Sequence, residues 1–433
     1  MVFGVPKLDY NACPNQNFGR FDFTFDPAFH FTARNPVRIL SPGKLPLPGI
    51  LPLLGSFIIG SFIFSLTGLQ TVAAQDMDLQ SAIEAIKTVD VKGQGHDQAV
   101  AAMATLNAAT ADDVPQLLQG MDGANKVALN WLRGGVQSAL DKGPLPRKEI
   151  QAFLQDTEGS DMGRFMAFEL LSEGNPEFSS ETLPALVSDP SLPLRQLAVA
   201  DAIERAKAKV EQEDVAGGIG LLSTTLPHAR EVAQVQAIVS SLAESGVQVD
   251  LQKQLGFIPN WHIVGPFDNT EEAGFDKAMG PEADPANVDV AVTYDDSKTG
   301  EAIGWQQHNS IESTGVVDLN SILKEEKGVI AYGYTEFNSE AEQQVDIRIG
   351  CINGNKVWVN GVEVINNEIY HVGMMPDQFV GQVTLKEGVN KILFKVCQNE
   401  QTQPWANRWM FQMRICKSDG LAVLPFQPAP ARR

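Results

Sequence analysis

The stretch Lys356-Val-Trp-Val-Asn-Gly-Val-Glu-Val364 places valines at alternate positions on either side of an Asn-Gly pair. A period of two is typical of a β-strand, because successive side chains of a strand point to opposite faces. Asn360 and Gly361 readily adopt the positive φ angles that a two-residue type I′ turn requires. The stretch therefore predicts a β-hairpin, and with it an antiparallel sheet in this part of the chain.

Short alternating or β-branched runs of the same kind recur through residues 256–418. We expect strands at Trp261–Val264, Val288–Tyr294, Gly328–Tyr334, Gln344–Ile349, Lys356–Asn360, Gln378–Leu385, Asn390–Val396 and Trp409–Ile415. Turn residues separate these runs, and no helical pattern lies between them. Many short strands without intervening helices are typical of an antiparallel β-sandwich.

The region 75–255 has a different rhythm, with apolar residues at steps of three and four, as at Leu79, Ile83 and Ile86. That spacing forms the apolar stripe of an amphipathic helix. Asp and Ser mark the expected helix starts, and Gly and Pro mark the ends. The predicted fold class is therefore multidomain, with an all-α region followed by an antiparallel β-sandwich.

One segment of the helical region, Thr182–Ile203, resembles a HEAT-type repeat. A short apolar helix leads to an Asp-Pro turn, and a second helix carries an early Arg195 and an alanine-rich face. The resemblance implies a pair between Asp189 and Arg195 across the turn, and stacked helices with an open face for a protein partner. Val114–Arg133 and Met162–Leu171 echo the pattern less closely. A plain helical bundle without a partner remains the alternative.

The first 74 residues are expected to direct export and not to form part of the folded domains. Leu51–Leu66 is strongly apolar, follows basic residues and precedes small residues that end at Ala74. This order predicts a signal peptide over 45–74, with an uncleaved anchor as the alternative. Residues 1–44 are interpreted as an unstructured leader or as sequence upstream of the true start. We expect export to the periplasm, the cell envelope or the extracellular space, and a disordered tail at 419–433.

The formal net charge of −20 at pH 7 opposes binding to phosphate backbones, so nucleic acid is not an expected partner. The cysteines are Cys13, Cys351, Cys397 and Cys416, and no two have the spacing of a structural zinc site. The three in the β region fit one disulfide plus a free thiol, or three buried thiols.

The hairpin at Asn360 resembles the strand–Asn-Gly–strand unit of galactose-binding-like jelly rolls, including accessory β-domains of glycoside hydrolases. Lys386–Val396 resembles a later hairpin of those domains, and Trp409–Ile415 resembles their closing strand. Trp261–Asn269 is similar to the first strand and Gly-Pro-Phe turn of secreted proteins that join this sandwich to helical repeats. The resemblance implies a jelly roll with a glycan or cell-envelope ligand. Where relatives often carry an Asp-Asp pair this chain has Cys351–Asn355, so no calcium site is carried over.

A sugar site on such a sandwich needs an exposed aromatic plane beside amide, carboxylate or guanidinium groups. The candidate ligand-binding residues are Trp405, Asn407 and Arg408 in one loop, Tyr370, His371 and Asp377 in a second, and Trp358 on the hairpin. Trp405 has the alternative of packing beneath its own loop. Trp358 is either a surface platform or a ring that packs against the face of the sheet.

Familiar enzyme motifs are missing: the sequence holds no His-Glu-x-x-His, Gly-x-Ser-x-Gly, P-loop or dinucleotide fingerprint. The sequence therefore favours an exported, non-catalytic binding or scaffold protein. Its sandwich would bind a glycan or envelope component, and its helices would dock a protein partner. The alternatives are a purely structural envelope protein and a glycan-active hydrolase or its accessory chain, because acid pairs for glycoside cleavage have no fixed spacing. No cofactor or metal is predicted; Asp268, Asp295 and Asp296 lie in turn-like segments where capping of backbone donors is the expected role and calcium binding is the alternative.

Overall fold

A computed structural model of the chain describes residues 77–296 and 299–427. The predicted leader and signal peptide lie outside the described residues. Within those residues the helices of the first part end at Leu255, and the strands of the sandwich begin at Asn260. The expected fold class, helices followed by an antiparallel β-sandwich, is confirmed. Among the helices described, none has both the length and the apolar character that crossing a bilayer would take.

The helices begin and end close to the signals in the sequence. In the described residues they are α1 (Leu79–Lys87), α2 (His96–Ala108), α3 (Val114–Gln119), α4 (Lys126–Leu140), α5 (Arg147–Gln155), α6 (Asp161–Ser172), α7 (Pro176–Thr182), α8 (Leu192–Glu211), α9 (Val215–Thr225), α10 (Val232–Glu244), α11 (Leu251–Leu255) and α12 (Leu319–Ile322). Asn125 caps α4 by accepting from the backbone N–H groups of Val127 and Ala128. Such caps satisfy donors that a helix leaves unpaired in its first turn.

The predicted apolar stripes form the core of the helical region. Ile83, Ile86 and Leu132 are fully buried in one cluster. Gly163 lets α6 approach α3 closely, since a Cβ atom there would lie 2.2 Å from the carbonyl oxygen of Leu118. The helices are therefore held by packing as well as by their intrinsic propensity.

The ion pair between Asp189 and Arg195 that the HEAT resemblance implies is wrong, because Asp189 pairs with a different arginine. The carboxylate of Asp189 is bound by Arg164 on α6, through two hydrogen bonds of 2.7 Å. Arg195 instead donates from Nε to the carbonyl oxygen of Asp189, at 2.7 Å. The guanidinium of Arg164 is 1% exposed and needs a carboxylate partner, whereas the side chain of Arg195 is 12% exposed and only its Nε is bonded to Asp189.

The sandwich consists of antiparallel strands. Those described are β1 (Asn260–Asp268), β2 (Tyr294–Asp295), β3 (Ala302–Ile303), β4 (Gln306–Asn309), β5 (Val317–Asp318), β6 (Val329–Ser339), β7 (Gln343–Cys351), β8 (Gly354–Val359), β9 (Val362–Asn367), β10 (Phe379–Leu385), β11 (Gly388–Gln398) and β12 (Met410–Cys416). The larger sheet has the order β4-β1-β6-β11-β8-β9, the smaller has the order β10-β7-β12-β5, and β2 and β3 form a short ribbon.

The Asn-Gly hairpin is confirmed. Val359 pairs with Val362 across the turn, and Asn360 and Gly361 have φ angles of 52° and 86°. These are the angles of a type I′ turn, whose twist matches that of the flanking strands. A Cβ atom at Gly361 would also meet Ala286 at 2.8 Å, so the turn lies against a neighbouring loop.

Both faces of the larger sheet are covered. The inner face packs on the smaller sheet around Trp261, Phe394 and Phe411. The outer face is covered by residues 269–296 and 299–305, and Lys395 anchors this cover by donating to the carbonyl oxygens of Phe275 and Lys277 at 2.8 and 3.1 Å. Lys395 also binds Glu282 at 2.7 Å, and because this lysine is fully buried, the carboxylate compensates its charge.

The strand expected at Val288–Tyr294 is wrong, because only Tyr294 enters a strand, the short β2. The segment is instead part of the cover over the outer face, where Val288 and Tyr294 pack against the buried cluster. Its apolar residues therefore pack on the face of a sheet and do not form one of its strands.

The C-terminal tail also differs from expectation, because the sequence predicts disorder over 419–433. Val423 is buried in the core, and its backbone N–H donates to the carbonyl oxygen of Ile415 at 2.9 Å.

The helical region and the sandwich are in direct contact. The backbone N–H of Ile258 donates to Met413 on β12 at 2.9 Å. Arg414 on β12 donates to the carbonyl oxygen of Leu255, the last residue of α11, at 3.2 Å. Arg230, just before α10, pairs with Asp419 at 3.2 Å. These bonds fix the helices on one side of the smaller sheet.

Candidate functional site

The two loops that the sequence singled out meet at one end of the sandwich. Trp405 lies in a 3₁₀ turn at Pro404–Asn407, and its ring contacts His371 edge to face, with centroids 5.4 Å apart and planes at 82°. The ring of Tyr370 lies 6.3 Å from that of His371. Trp405 is 60% exposed, so the alternative in which it packs beneath its own loop does not hold. We call these three rings the aromatic face.

Buried asparagines hold the aromatic face in place. Asn353 donates to the carbonyl oxygen of Arg408 at 3.2 Å and accepts from the backbone N–H of His371 at 3.4 Å. Asn269 donates to the Tyr370 hydroxyl at 3.4 Å. Both asparagines are fully buried. An amide carries donors and an acceptor on one short side chain, so it can join loops that have no regular backbone pairing.

A hydrogen-bonded chain fixes the ring of His371. Nε2 bonds to Oδ1 of Asn399, and Nδ2 of Asn399 donates to Glu272 at 2.9 Å. Because the amide oxygen of Asn399 accepts, Nε2 of His371 is the donor in this network. Nδ1 is buried, and it has no hydrogen-bond partner among the described residues.

Polar groups surround the aromatic face. The side chain of Arg408 is exposed, and Asn407 is half-buried with its carbonyl oxygen accepting from Asn320 at 2.7 Å. Burial raises the pKa of Tyr370, so its hydroxyl stays protonated at neutral pH. In the part of the chain that the structure describes, no cluster of His, Cys, Asp and Glu has the geometry to hold a metal ion.

Two of the predicted ligand residues lie elsewhere. Trp358 is 7% exposed and packs with Tyr332 and Leu393 on the covered outer face of the larger sheet. It is therefore a packing ring, and its assignment as a ligand platform is wrong. Asp377 accepts from Arg414 at 2.6 Å and from Arg348 at 3.1 Å, so its carboxylate is committed to an ion-pair network.

Asp377 lines a separate cavity of about 430 Å³ between the helices and the sandwich. We call it the junction cavity; its charged walls include Arg195, Arg230, Arg348, Asp377 and Asp419. Sequence patterns gave no sign of it, because its residues come from α8, from the start of α10, from β7 and from loops of the sandwich. The sequence did not predict the asparagines beneath the aromatic face, for the same reason. Asn353 and Asn355 lie in the segment that corresponds to the possible calcium site of relatives.

Comparison with known proteins assigns no family. No protein-family model matches this sequence, and no curated protein matches it either.

Several solved structures are distantly similar to this chain. A β-glucosidase from Kluyveromyces marxianus in complex with glucose is 14% identical over 33% of this chain and 19% of its own, with a TM-score of 0.22. An anti-sigma factor domain-containing protein from Clostridium clariflavum is 12% identical over 40% of this chain and 49% of its own, with a TM-score of 0.23. A β-glucuronidase from Ruminococcus gnavus in complex with D-glucaro 1,5-lactone is 15% identical over 37% and 29%, with a TM-score of 0.22.

The chain thus spans between about a fifth and about half of the length of these neighbours. Their names include glycoside hydrolases, but at such identities and TM-scores the likeness assigns neither an activity nor a ligand to this chain.

Proposed function

We propose that the sandwich binds a carbohydrate at the aromatic face. The observation that carries this proposal is the exposed ring of Trp405, held edge to face against His371 beside Tyr370. An indole plane stacks on the apolar face of a pyranose ring, and its fixed orientation lowers the entropy lost on binding. Arg408 and Asn407 lie beside Trp405, and in this proposal the exposed guanidinium of Arg408 and the amide of Asn407 bind sugar hydroxyls, while the hydroxyl of Tyr370, bonded to the buried Asn269, orients its ring.

The wider proposal is an exported, non-catalytic binding protein with a jelly-roll-type sandwich and HEAT-like helices. The signal-like segment 45–74 supports export. The succession of packed helices supports a protein partner on the helical part, because stacked helical repeats leave an open face on which a partner can dock. A purely structural envelope protein and an accessory chain of a glycan-active hydrolase remain the competing functions.

A glycan array with the purified protein, followed by calorimetry on the best ligand, tests carbohydrate binding. We expect Trp405→Ala to weaken binding about thirtyfold or more, since it removes the stacking plane. Val362→Ala is the matched control. Val362 is 62% exposed, like Trp405, but it follows the turn after β8, whereas Asn353 and the aromatic face lie at the other end of that strand. The proposal is lost if no glycan binds, or if Trp405→Ala binds as well as Val362→Ala.

The helical partner needs a separate test. Crosslinking in cell-envelope extracts, followed by mass spectrometry, maps the residues that contact other proteins. Crosslinks concentrated on the helical part support the docking surface, and crosslinks confined to the sandwich contradict it.

A further inference from the structure

The junction cavity has the size of a small-molecule site and walls of two kinds. Its volume of about 430 Å³ falls within the usual range for such sites. Its lining includes the guanidinium groups of Arg195 and Arg230. It also includes apolar side chains, among them Leu192, Val232 and the exposed Met375. Charged groups beside apolar side chains suit an amphiphilic ligand.

These two arginines share one carboxylate. Asp419 lies 3.2 Å from Nε of Arg230 but 3.8 Å from Nη1 of Arg195, which is beyond hydrogen-bond distance. The only side-chain hydrogen bond that Arg195 makes within the described residues runs from Nε to the carbonyl oxygen of Asp189. Both terminal nitrogens of Arg195 are therefore donors without an acceptor among those residues.

Arg230 is only partly satisfied as well. Its Nη1 donates to the carbonyl oxygens of Pro227 and Ala229, at 2.7 and 3.0 Å. Burial, and after it the charge of Arg230, lower the pKa of Arg195. An anion between the two guanidinium groups would relieve their repulsion and accept from the unpaired donors.

The other charged groups of the cavity are already engaged. Arg348 donates to Asp346, to Asp377 and to the carbonyl oxygen of Ser418. Glu231 accepts from the backbone N–H of Gln234 at the start of α10, at 2.9 Å. The unpaired donors of Arg195 and Arg230 are therefore the groups that select a ligand.

We propose that the junction cavity binds a small carboxylic acid with an apolar body. The carboxylate bridges Arg195 and Arg230, which matches the planar geometry of a carboxylate to that of two guanidinium groups. The apolar body lies against Val232 and Met375. This site is independent of the aromatic face, and it lies where the helices meet the sandwich.

Methyl NMR of the full-length protein labelled at methionine gives a local readout, with the Met375 signal assigned from Met375→Leu. The probes are hexanoate, 1-hexanol and inorganic phosphate. We expect hexanoate to shift the Met375 signal saturably. We expect 1-hexanol, which lacks the carboxylate, and inorganic phosphate, which lacks the apolar body, each to bind at least about tenfold more weakly. The proposal fails if hexanoate does not saturate, or if hexanol or phosphate binds equally well.

Charge variants locate the site. Gln196→Glu adds a negative charge to the cavity wall without removing a side-chain hydrogen bond, because the side chain of Gln196 bonds to no described residue and only its backbone carbonyl accepts from the side chain of Gln234. We expect hexanoate binding to weaken about tenfold. Gln151→Glu, on an exposed position of α5 outside the cavity, makes the same charge change and is expected to leave binding unaltered.

Two further variants complete the design. Arg195→Gln is expected to abolish saturable binding, with urea unfolding used to confirm that the variant is folded. Trp405→Ala is expected to leave hexanoate binding intact, so failure at one site is distinguishable from failure at the other. Binding that survives both Gln196→Glu and Arg195→Gln overturns the assignment.

Discussion

Arg164 on α6 and Asp189, in the turn before α8, form an ion pair with two parallel hydrogen bonds of 2.7 Å. Their side chains are 1% and 5% exposed. Nε of Arg164 also donates to the carbonyl oxygen of Leu154, at the end of α5, and Asp189 also accepts from the backbone N–H of Ser191. The pair therefore ties three helices together, and its buried charges are saturated with hydrogen bonds.

Asp189→Asn is expected to destabilise the protein strongly. The change leaves the guanidinium of Arg164 buried without a counter-ion, which lowers the free energy of unfolding by about 3–5 kcal/mol. Urea unfolding followed by circular dichroism measures this loss. Asp201→Asn is the control, because its pair with Arg205 is at the surface and is worth about 0.5 kcal/mol. Equal losses in the two variants would contradict a structural role for the buried pair.

Trp358 and Trp405 of the β region are expected to contribute differently to stability. Trp358→Ala opens a cavity in the outer-face cluster and lowers the free energy of unfolding by about 3–5 kcal/mol. Trp405→Ala removes a mostly exposed ring and changes that free energy by less than about 1 kcal/mol. Thermal and urea unfolding of both variants check this. A larger loss for Trp405→Ala would mean that its ring serves packing rather than recognition.

The ion pairs of Asp377 make stability depend on pH. Burial raises the pKa of Asp377, but the hydrogen bonds and charges of Arg414 and Arg348 outweigh it, so the pKa lies below its ordinary value. The folded state then binds fewer protons, so the stabilisation is fully present above about pH 4 and is lost as the pH falls through the folded-state pKa. We expect Asp377→Asn to lose about 2–4 kcal/mol at pH 7.

Urea unfolding of wild type and Asp377→Asn at several values between pH 7 and pH 3 checks this. The difference between the two proteins should be constant down to about pH 4 and should shrink below it. A difference that stays the same throughout would show that the carboxylate charge plays no part.

The cysteines of the β region are expected to be inert thiols. Cys351, Cys397 and Cys416 are buried and unpaired. Burial raises the pKa of Cys351 to about 12 and that of Cys416 to about 11, so almost no reactive thiolate forms at pH 8. Iodoacetamide should label these three sites only after unfolding, as read by peptide mass spectrometry. A disulfide between any two, or rapid labelling of the folded protein, would refute this.

Local patterns were enough to predict much of the fold. The Asn360-Gly361 turn was predictable because two adjacent residues accept positive φ, and the helices were predictable because their apolar stripes have a period close to that of the helix. At Val288–Tyr294 the same reasoning failed. Apolar residues that cover a sheet resemble those within a sheet, and a short sequence window contains nothing that separates the two.

The aromatic face was predicted in part. Trp405 and Tyr370 were chosen for their residue types, and their loops were expected on the surface. That the two loops meet depends on the sheet order, in which β8 pairs with β11, and on buried amides such as Asn353 that join the loops. The prediction for Trp358 was wrong because alternation along a strand separates its side chains into two faces but does not show which face other residues cover.

Residue order alone therefore established the helical and β parts and the turns between strands, since these follow from interactions among neighbours in the chain. The partner of Asp189, the ion pairs of Asp377 and the junction cavity arose only on folding. Each depends on side chains that are distant in sequence and are brought together by packing. Which residue pairs with a buried charge therefore depends on which helices and strands lie side by side.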